Sequence, residues 1–455
     1  KIPCQVYIMN KRLLSNGKVK DTSFWFYCQE NVEELTMRFL IVLVTFFFCL
    51  SILFYFLNIS IHFDIYNESS PDFRFGVHDD IFHARLHQSQ SLTRIYSNKT
   101  ENTPWRVTFF SKMIEGIFWV FGLGYDRRFH RQAFEFLSVG MPQTYPHFKD
   151  SVRSSDIVLT PLPFCTPDTM NCVDSFLPSS MVPPNVRFRV FEPSNHTNEP
   201  LPVLVWIHGG GFNIGHPQDT EQDVVCRRFA RLGHMIVLSI DYRLAPEHPF
   251  PASIHDLMFF MHWLNAYTYQ PLRMESSAIH LQLPQMDRSR LFLGGDSAGA
   301  NIASVISLYL RDFPLPRIRV VYQLLCCPTF ALIDTPSKRF FQKGPLLSLD
   351  LQLYFFRNYA GGNYSIIYDP YVNPLFSPIG LRGVPPAYLV VAGLDPLQDD
   401  AYIFFEQLQL DGQRGILARY DHMIHGFFTM SFFDESLLAM HHLISQLSKE
   451  GYLLT

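Results

Sequence analysis

From residue 186 onward, short apolar runs alternate with amphipathic stretches, and this alternation narrows the possible folds more than any other feature of the chain. The runs at 203–208, 235–240, 290–293, 318–325, 387–391 and 416–420 have the length and near-continuous hydrophobicity of strands covered on both faces. Most are separated by helical patterns: 220–232 stopping at Gly233, 254–267, 298–311, 401–410 with Gly412 beyond, and 435–447. Strands alternating with helices predict an α/β fold, with a mostly parallel central sheet and helices on both faces. The interval 328–386 is too long for one crossover helix and is expected to carry a cap insertion that helps cover the site. The expected organisation is a catalytic domain over 185–455, preceded by a loop-rich, proline-rich cap and linker region over 58–184 that includes a helix at 105–121.

Upstream, residues 39–57 carry no charge and match the length of a bilayer-spanning helix. Met37-Arg38 before this block also resembles the start of a cleavable signal peptide, but the block is long for that role and no small-x-small cleavage site follows. An uncleaved signal-anchor is the expectation, with 1–38 as a cytoplasmic tail or gene-model extension. Lys11, Arg12, Lys18, Lys20 and Arg38 precede the segment and only Arg74 follows closely, among Asp64, Glu68 and Asp72, which places the large domain on the lumenal side. The sequons at Asn67, Asn98, Asn195 and Asn363 agree with an endoplasmic-reticulum lumen, while Asn58 lies too near the membrane to be modified. The secretory pathway or the cell surface is the alternative location. Cys165 and Cys172 could close a small ring there, an open question, whereas Cys326 and Cys327 end an apolar run and read as buried thiols. A net charge of −4 without a basic run excludes nucleic acid as a partner.

The chemistry concentrates in three places. Gly295-Asp296-Ser297-Ala298-Gly299 lies between an apolar run and a helical pattern, where glycines permit a sharp turn that projects the Ser297 hydroxyl. His208-Gly209-Gly210-Gly211-Phe212 follows another strand. A glycine run there lets backbone N–H groups approach a developing oxyanion, and Gly210 and Gly211, with Ala298, are the expected donors. A serine hydroxyl needs a base and an orienting acid. Asp395 stands at the carboxyl end of one run, with Asp399 and Asp400 read as acids at the next helix start. After the last strand, His422 and His425 compete for the base, and His425 is preferred because Gly426 permits a tight turn into the site.

These motifs, together with Asp241-Tyr242-Arg243-Leu244-Ala245-Pro246-Glu247-His248-Pro249-Phe250-Pro251, resemble in order and spacing the hormone-sensitive-lipase-like esterases, over roughly residues 185 to 450. Within that group the layout resembles the membrane-anchored deacetylase and cholesterol-ester hydrolase branch. The resemblance implies Ser297, Asp395 and His425 as a catalytic triad, the glycines after His208 as an oxyanion hole, and a lid from the N-terminal part and the insertion. It also implies a structural role for residues 241–251. Position 300 is alanine where the group often has glycine, and position 212 is phenylalanine where membrane-bound members usually have tryptophan, which puts substrate preference in doubt. The expected activity is hydrolysis of lipophilic carboxylic esters or aryl amides, with no metal or organic cofactor. A catalytically silent, membrane-anchored receptor or adhesion protein on the same fold is the rival.

Overall fold

The computed structural model describes residues 148, 150–159, 181–194, 199–267, 272–273, 280–281, 283–330, 334–344 and 346–453. The expected span at 39–57, the helix at 105–121, Cys165, Cys172, Asn58, Asn67, Asn98 and Asn195 lie outside them. Among the described residues no helix is long and apolar enough to cross a membrane. Asn363 is exposed, and its side-chain oxygen accepts hydrogen bonds from Ser365.

The elements, in chain order, are β1 (Val152–Leu159), β2 (Val186–Pro193), β3 (Leu201–Ile207), α1 (Thr220–Leu232), β4 (Ile236–Asp241), α2 (Ala252–Ala266) and a two-residue pair β5 (Leu272–Arg273) and β6 (His280–Leu281). They continue as β7 (Met286–Asp296), α3 (Ala298–Asp312), β8 (Val320–Cys326), α4 (Pro336–Phe340), α5 (Leu349–Ala360), β9 (Ala387–Ala392), α6 (Gln398–Leu410), β10 (Gly415–Tyr420) and α7 (Asp434–Lys449). Eight strands form one sheet in the order β1-β2-β4-β3-β7-β8-β9-β10. The ladders from β4 to β10 are parallel, and β2 runs antiparallel to both β1 and β4.

Strand alternation divides the core in two. Val203, Val205 and Ile207 of β3 share one cluster with Leu257, Val305 and Phe404 of α2, α3 and α6, whereas Leu204 and Trp206 share the other with Phe229 and Leu443 of α1 and α7. Every residue of β3 is buried, the signature of a central strand covered on both sides. The expected mostly parallel sheet is therefore present, with one addition. The region read as loop-rich contains β1, so the sheet reaches upstream of residue 185. Its sequence, VRSSDIVL, places Arg, Ser, Ser and Asp in mid-strand, and it pairs only at the sheet's edge, so neither a continuous apolar run nor clean alternation marks it.

The insertion after β8 holds α4, α5 and two 3₁₀ turns, and Asp399 and Asp400 attach it to the domain rather than capping α6. Helix α6 starts after Leu397 with no side-chain cap. Asp399 accepts from the Ser337 N–H at 2.8 Å, while Asp400 takes the Lys338 ammonium at 2.6 Å and the Phe330 N–H at 3.1 Å. Both members of the Lys338–Asp400 pair are buried. Lys338→Met leaves the carboxylate without its counter-charge and is expected to destabilise the domain by about 3 kcal/mol, read as a lowered urea midpoint at unchanged slope.

Candidate active site

Strand β7 ends at Asp296 and α3 begins at Ala298, so Ser297 alone makes the turn, at φ 54° and ψ −120°. A non-glycine residue in that region is strained, and the surrounding bonds hold it there. Its N–H donates to Cys326 O at 2.8 Å, on the neighbouring strand β8. The flanking glycines are required by close approach: a Cβ on Gly295 or Gly299 would overlap the Ile207 carbonyl at the end of β3. The elbow and the start of the glycine loop thus pack backbone against backbone.

Across from the elbow, the segment after β10 turns at Gly426 (φ 74°) and returns His425 over the sheet. His425 Nε2 lies 3.0 Å from Ser297 Oγ, and Nδ1 lies 2.8 Å from Asp395 Oδ2. The other oxygen of Asp395 accepts from the Leu397 N–H at 2.8 Å, which aims the carboxylate. All three side chains are buried. Burial by itself depresses the basicity of the His425 imidazole, but the charge and hydrogen bond of Asp395 outweigh it, and its pKa is raised above the ordinary 6.5. His422 takes no part in these bonds.

The glycine loop is fastened to the elbow by Asp296. Its Oδ1 accepts from the Gly209 N–H at 3.0 Å and from Gln222 Nε2 at 3.2 Å, and Gln222 Oε1 in turn accepts from Trp206 Nε1 at 2.8 Å. Burial pushes the Asp296 carboxyl up to about 6. His208 is fully buried, stacks on Tyr242 at 4.3 Å and is driven down to about 4 by desolvation, so it stays neutral and structural. Gly210 and Gly211 adopt φ 106° and 60°. Among the described residues, the N–H groups of Gly210, Gly211 and Ala298 have no protein acceptor.

These groups open into a cavity of about 200 Å³. Part of its wall comes from the insertion: Leu347, Leu351, Phe355 and Phe356 stand over Ser297, Phe212 and Met430. The sequence reading missed these residues, although α5 carries signals of its own. Ser348 accepts from the Leu351 N–H at its start, and Gly361 at φ 56° ends it. Gln222 was also missed, because it belongs to no motif. Cys326 and Cys327 are buried free thiols, as expected. Ligand atoms of Cys327, Asp395 and His425 lie within 4.8 Å of one another. The bond between Asp395 and His425 occupies the positions a cation would need, and burial raises the Cys327 pKa, keeping the thiol protonated.

A model of the α/β-hydrolase fold family matches residues 204–429. Carboxylesterase NlhH of Mycobacterium tuberculosis is 37% identical over 231 residues, covering 50% of this chain and 66% of that protein. Esterase LipI of the same organism is 36% identical over 227 residues, 50% of this chain and 65% of that one. The gibberellin receptor of Oryza sativa is also similar, 28% identical over 237 residues, 51% and 62% of the two chains. The chain thus spans just under two thirds of the length of these relatives. Among solved structures, a Pyrobaculum calidifontis esterase matches with a TM-score of 0.57 at 27% identity, covering 72% of this chain and 94% of its own. The domain that brings Ser297, His425 and Asp395 together belongs to the hormone-sensitive-lipase-like family of α/β hydrolases.

Proposed function

We propose that the protein is a serine carboxylic ester hydrolase for uncharged, lipophilic substrates, with aryl amides as a related class. The observation that carries this reading is the unbroken line Ser297 Oγ, His425 and Asp395, at 3.0 and 2.8 Å, opening on an apolar cavity. His425 takes the proton as Ser297 Oγ attacks the acyl carbon. The carbonyl electron pair moves to oxygen, and the N–H groups of Gly210, Gly211 and Ala298 donate hydrogen bonds to the resulting oxyanion. His425 then protonates the leaving group, and water activated by the same imidazole releases the acid. The ionisable groups of the wall argue against anionic substrates. Besides His425 they are, among the described residues, Asp219, Glu221 and Asp296, with no Lys or Arg, and burial pushes Glu221 up to about 7. Apart from His425, a substrate carboxylate would meet only acidic ionisable groups among these residues.

A receptor among the relatives shows that the fold alone does not fix catalysis. The complete triad is what favours the enzyme here. A tether at residues 39–57 in the endoplasmic-reticulum membrane, with the catalytic domain on the lumenal side, accompanies this reading and rests on the sequence alone. Turnover of p-nitrophenyl esters over a series of acyl lengths tests the activity. Hydrolysis with a burst of nitrophenol supports it, and no turnover of any ester overturns it. Gly211→Ala is expected to lower kcat on the order of 10²-fold with a smaller change in KM, measured by steady-state kinetics, because the added methyl would overlap the Phe355 ring and shift the donor.

A further inference from the structure

Asn213 lies just beyond the glycine loop, is only 5% exposed and has no role in the chemistry described above. Its amide nitrogen donates to Gly211 O at 2.6 Å and to Phe355 O at 3.0 Å, and its Oδ1 accepts from Asn358 Nδ2 at 2.8 Å. A primary amide is well suited to this position, since it presents two donors and an acceptor from one planar group. Two of these contacts reach α5 and the third holds the carbonyl of a proposed oxyanion donor. The same face of α5 makes two further contacts with the loop. Phe355 packs its ring against the Cα of Gly211, and Tyr359 stacks on Phe212 with centroids 4.0 Å apart and planes 10° from parallel. Phe355, Asn358 and Tyr359 stand at i, i+3 and i+4, so a single helical stripe is seated on the loop.

We infer that Asn213 is a positioning residue for the oxyanion hole, latching the glycine loop to helix α5 of the cap and making the donor geometry depend on how that helix is seated. This inference rests on the hydrolase reading of the site. Gly210 and Gly211 have φ values that favour glycine, and the loop's own backbone bonds, from the N–H groups of Asn213 and Ile214 to the Gly210 carbonyl at 3.0 and 3.1 Å, leave the Gly211 carbonyl to the Asn213 side chain. Asp296 fixes its first residue through Gly209, and Asn213 fixes its last glycine. Between these two anchors the N–H groups of Gly210 and Gly211 are held without an acceptor of their own. Misplacing such a donor weakens the stabilisation of charge that exists only in the transition state, and leaves ground-state binding largely intact.

The test compares the full-length wild type with Asn213→Ala, Asn213→Asp and Asn358→Ala. The readouts are kcat and KM for a p-nitrophenyl ester, inhibition by an aryl trifluoromethyl ketone, and thermal midpoint. Ser297 Oγ adds to the ketone carbon, its proton passes to His425, and the carbonyl electron pair becomes an oxyanion in the hole. Ketone affinity therefore reports the donors. Asn213→Ala is expected to lower kcat about 10-fold or more and to weaken the ketone in parallel, with KM within about 3-fold. Asn213→Asp, which sets a carboxylate against two carbonyl oxygens, should be worse. Asn358→Ala should give a smaller loss in the same direction, and it keeps the test decisive if the Asn213 variants fail to fold. An active wild type whose variants keep kcat and ketone affinity, or lose thermal stability alone, overturns the inference while the hydrolase reading stands. A wild type without ester turnover overturns that reading and the inference with it.

Discussion

Ser297→Ala is expected to abolish covalent labelling by a fluorophosphonate probe and to lower ester turnover on the order of 10⁴-fold or more. The size follows from how much depends on one oxygen. Without Oγ there is no acyl-enzyme, and His425 has nothing to deprotonate at 3.0 Å. What remains is whatever the cavity and the three N–H donors contribute to direct attack by water. The substitution also relieves little structure, because the N–H of residue 297 still donates to Cys326 O and alanine keeps the same strained φ. The variant should therefore fold and bind substrate, so that lost turnover reads on chemistry. Retained labelling would identify a different nucleophile.

His425→Gln carries the second largest effect, a loss in kcat on the order of 10³-fold or more, against a small change for His422→Gln. Glutamine fills similar space but cannot accept the serine proton at neutral pH and return it to the leaving group. The pH profile adds an independent check. His425 acts as a base only when neutral, and Asp395 holds its pKa above 6.5 despite the opposing effect of burial. As pH falls through that raised pKa the imidazole protonates, and kcat/KM for a neutral ester should fall with it, with a midpoint above 6.5. Asp395→Asn removes the charge that raises the pKa, so the same limb should move to lower pH while activity drops. A wild-type limb at or below 6.5 would overturn the raised pKa, and an inactive His422 variant beside an active His425 variant would overturn the assignment.

The choice between the two histidines shows how far local pattern can reach. Gly426 beside His425 marked a turn, and the observed φ of 74° is the turn that sends the imidazole back toward Ser297. The elbow was legible for a similar reason: Gly295 and Gly299 record, as residue types, a backbone approach that tolerates no side chain. Elsewhere the local reading mistook the use of a residue. Asp399 and Asp400 sit in a first helical turn, where acids commonly act on their own helix, yet they bind Ser337, Lys338 and Phe330 of the cap instead. Strand β1 was hidden because an edge strand with polar mid-positions carries no hydrophobic period.

The sequence by itself determined the parallel core, its elbow, the glycine loop and the chain order of Ser297, Asp395 and His425. Each of these is written in features that act over a few residues: continuous apolar runs for doubly covered strands, and glycine where the backbone crowds or φ is positive. Only the tertiary structure decided which residues wall the cavity and what holds the glycine loop. Asn213 and Asn358 meet from positions 145 apart, and Phe355 reaches Gly211 from another element altogether. Such pairings leave no period and no spacing in the chain, because the free energy that selects them comes from burying and satisfying both partners at once, after the core has brought them together.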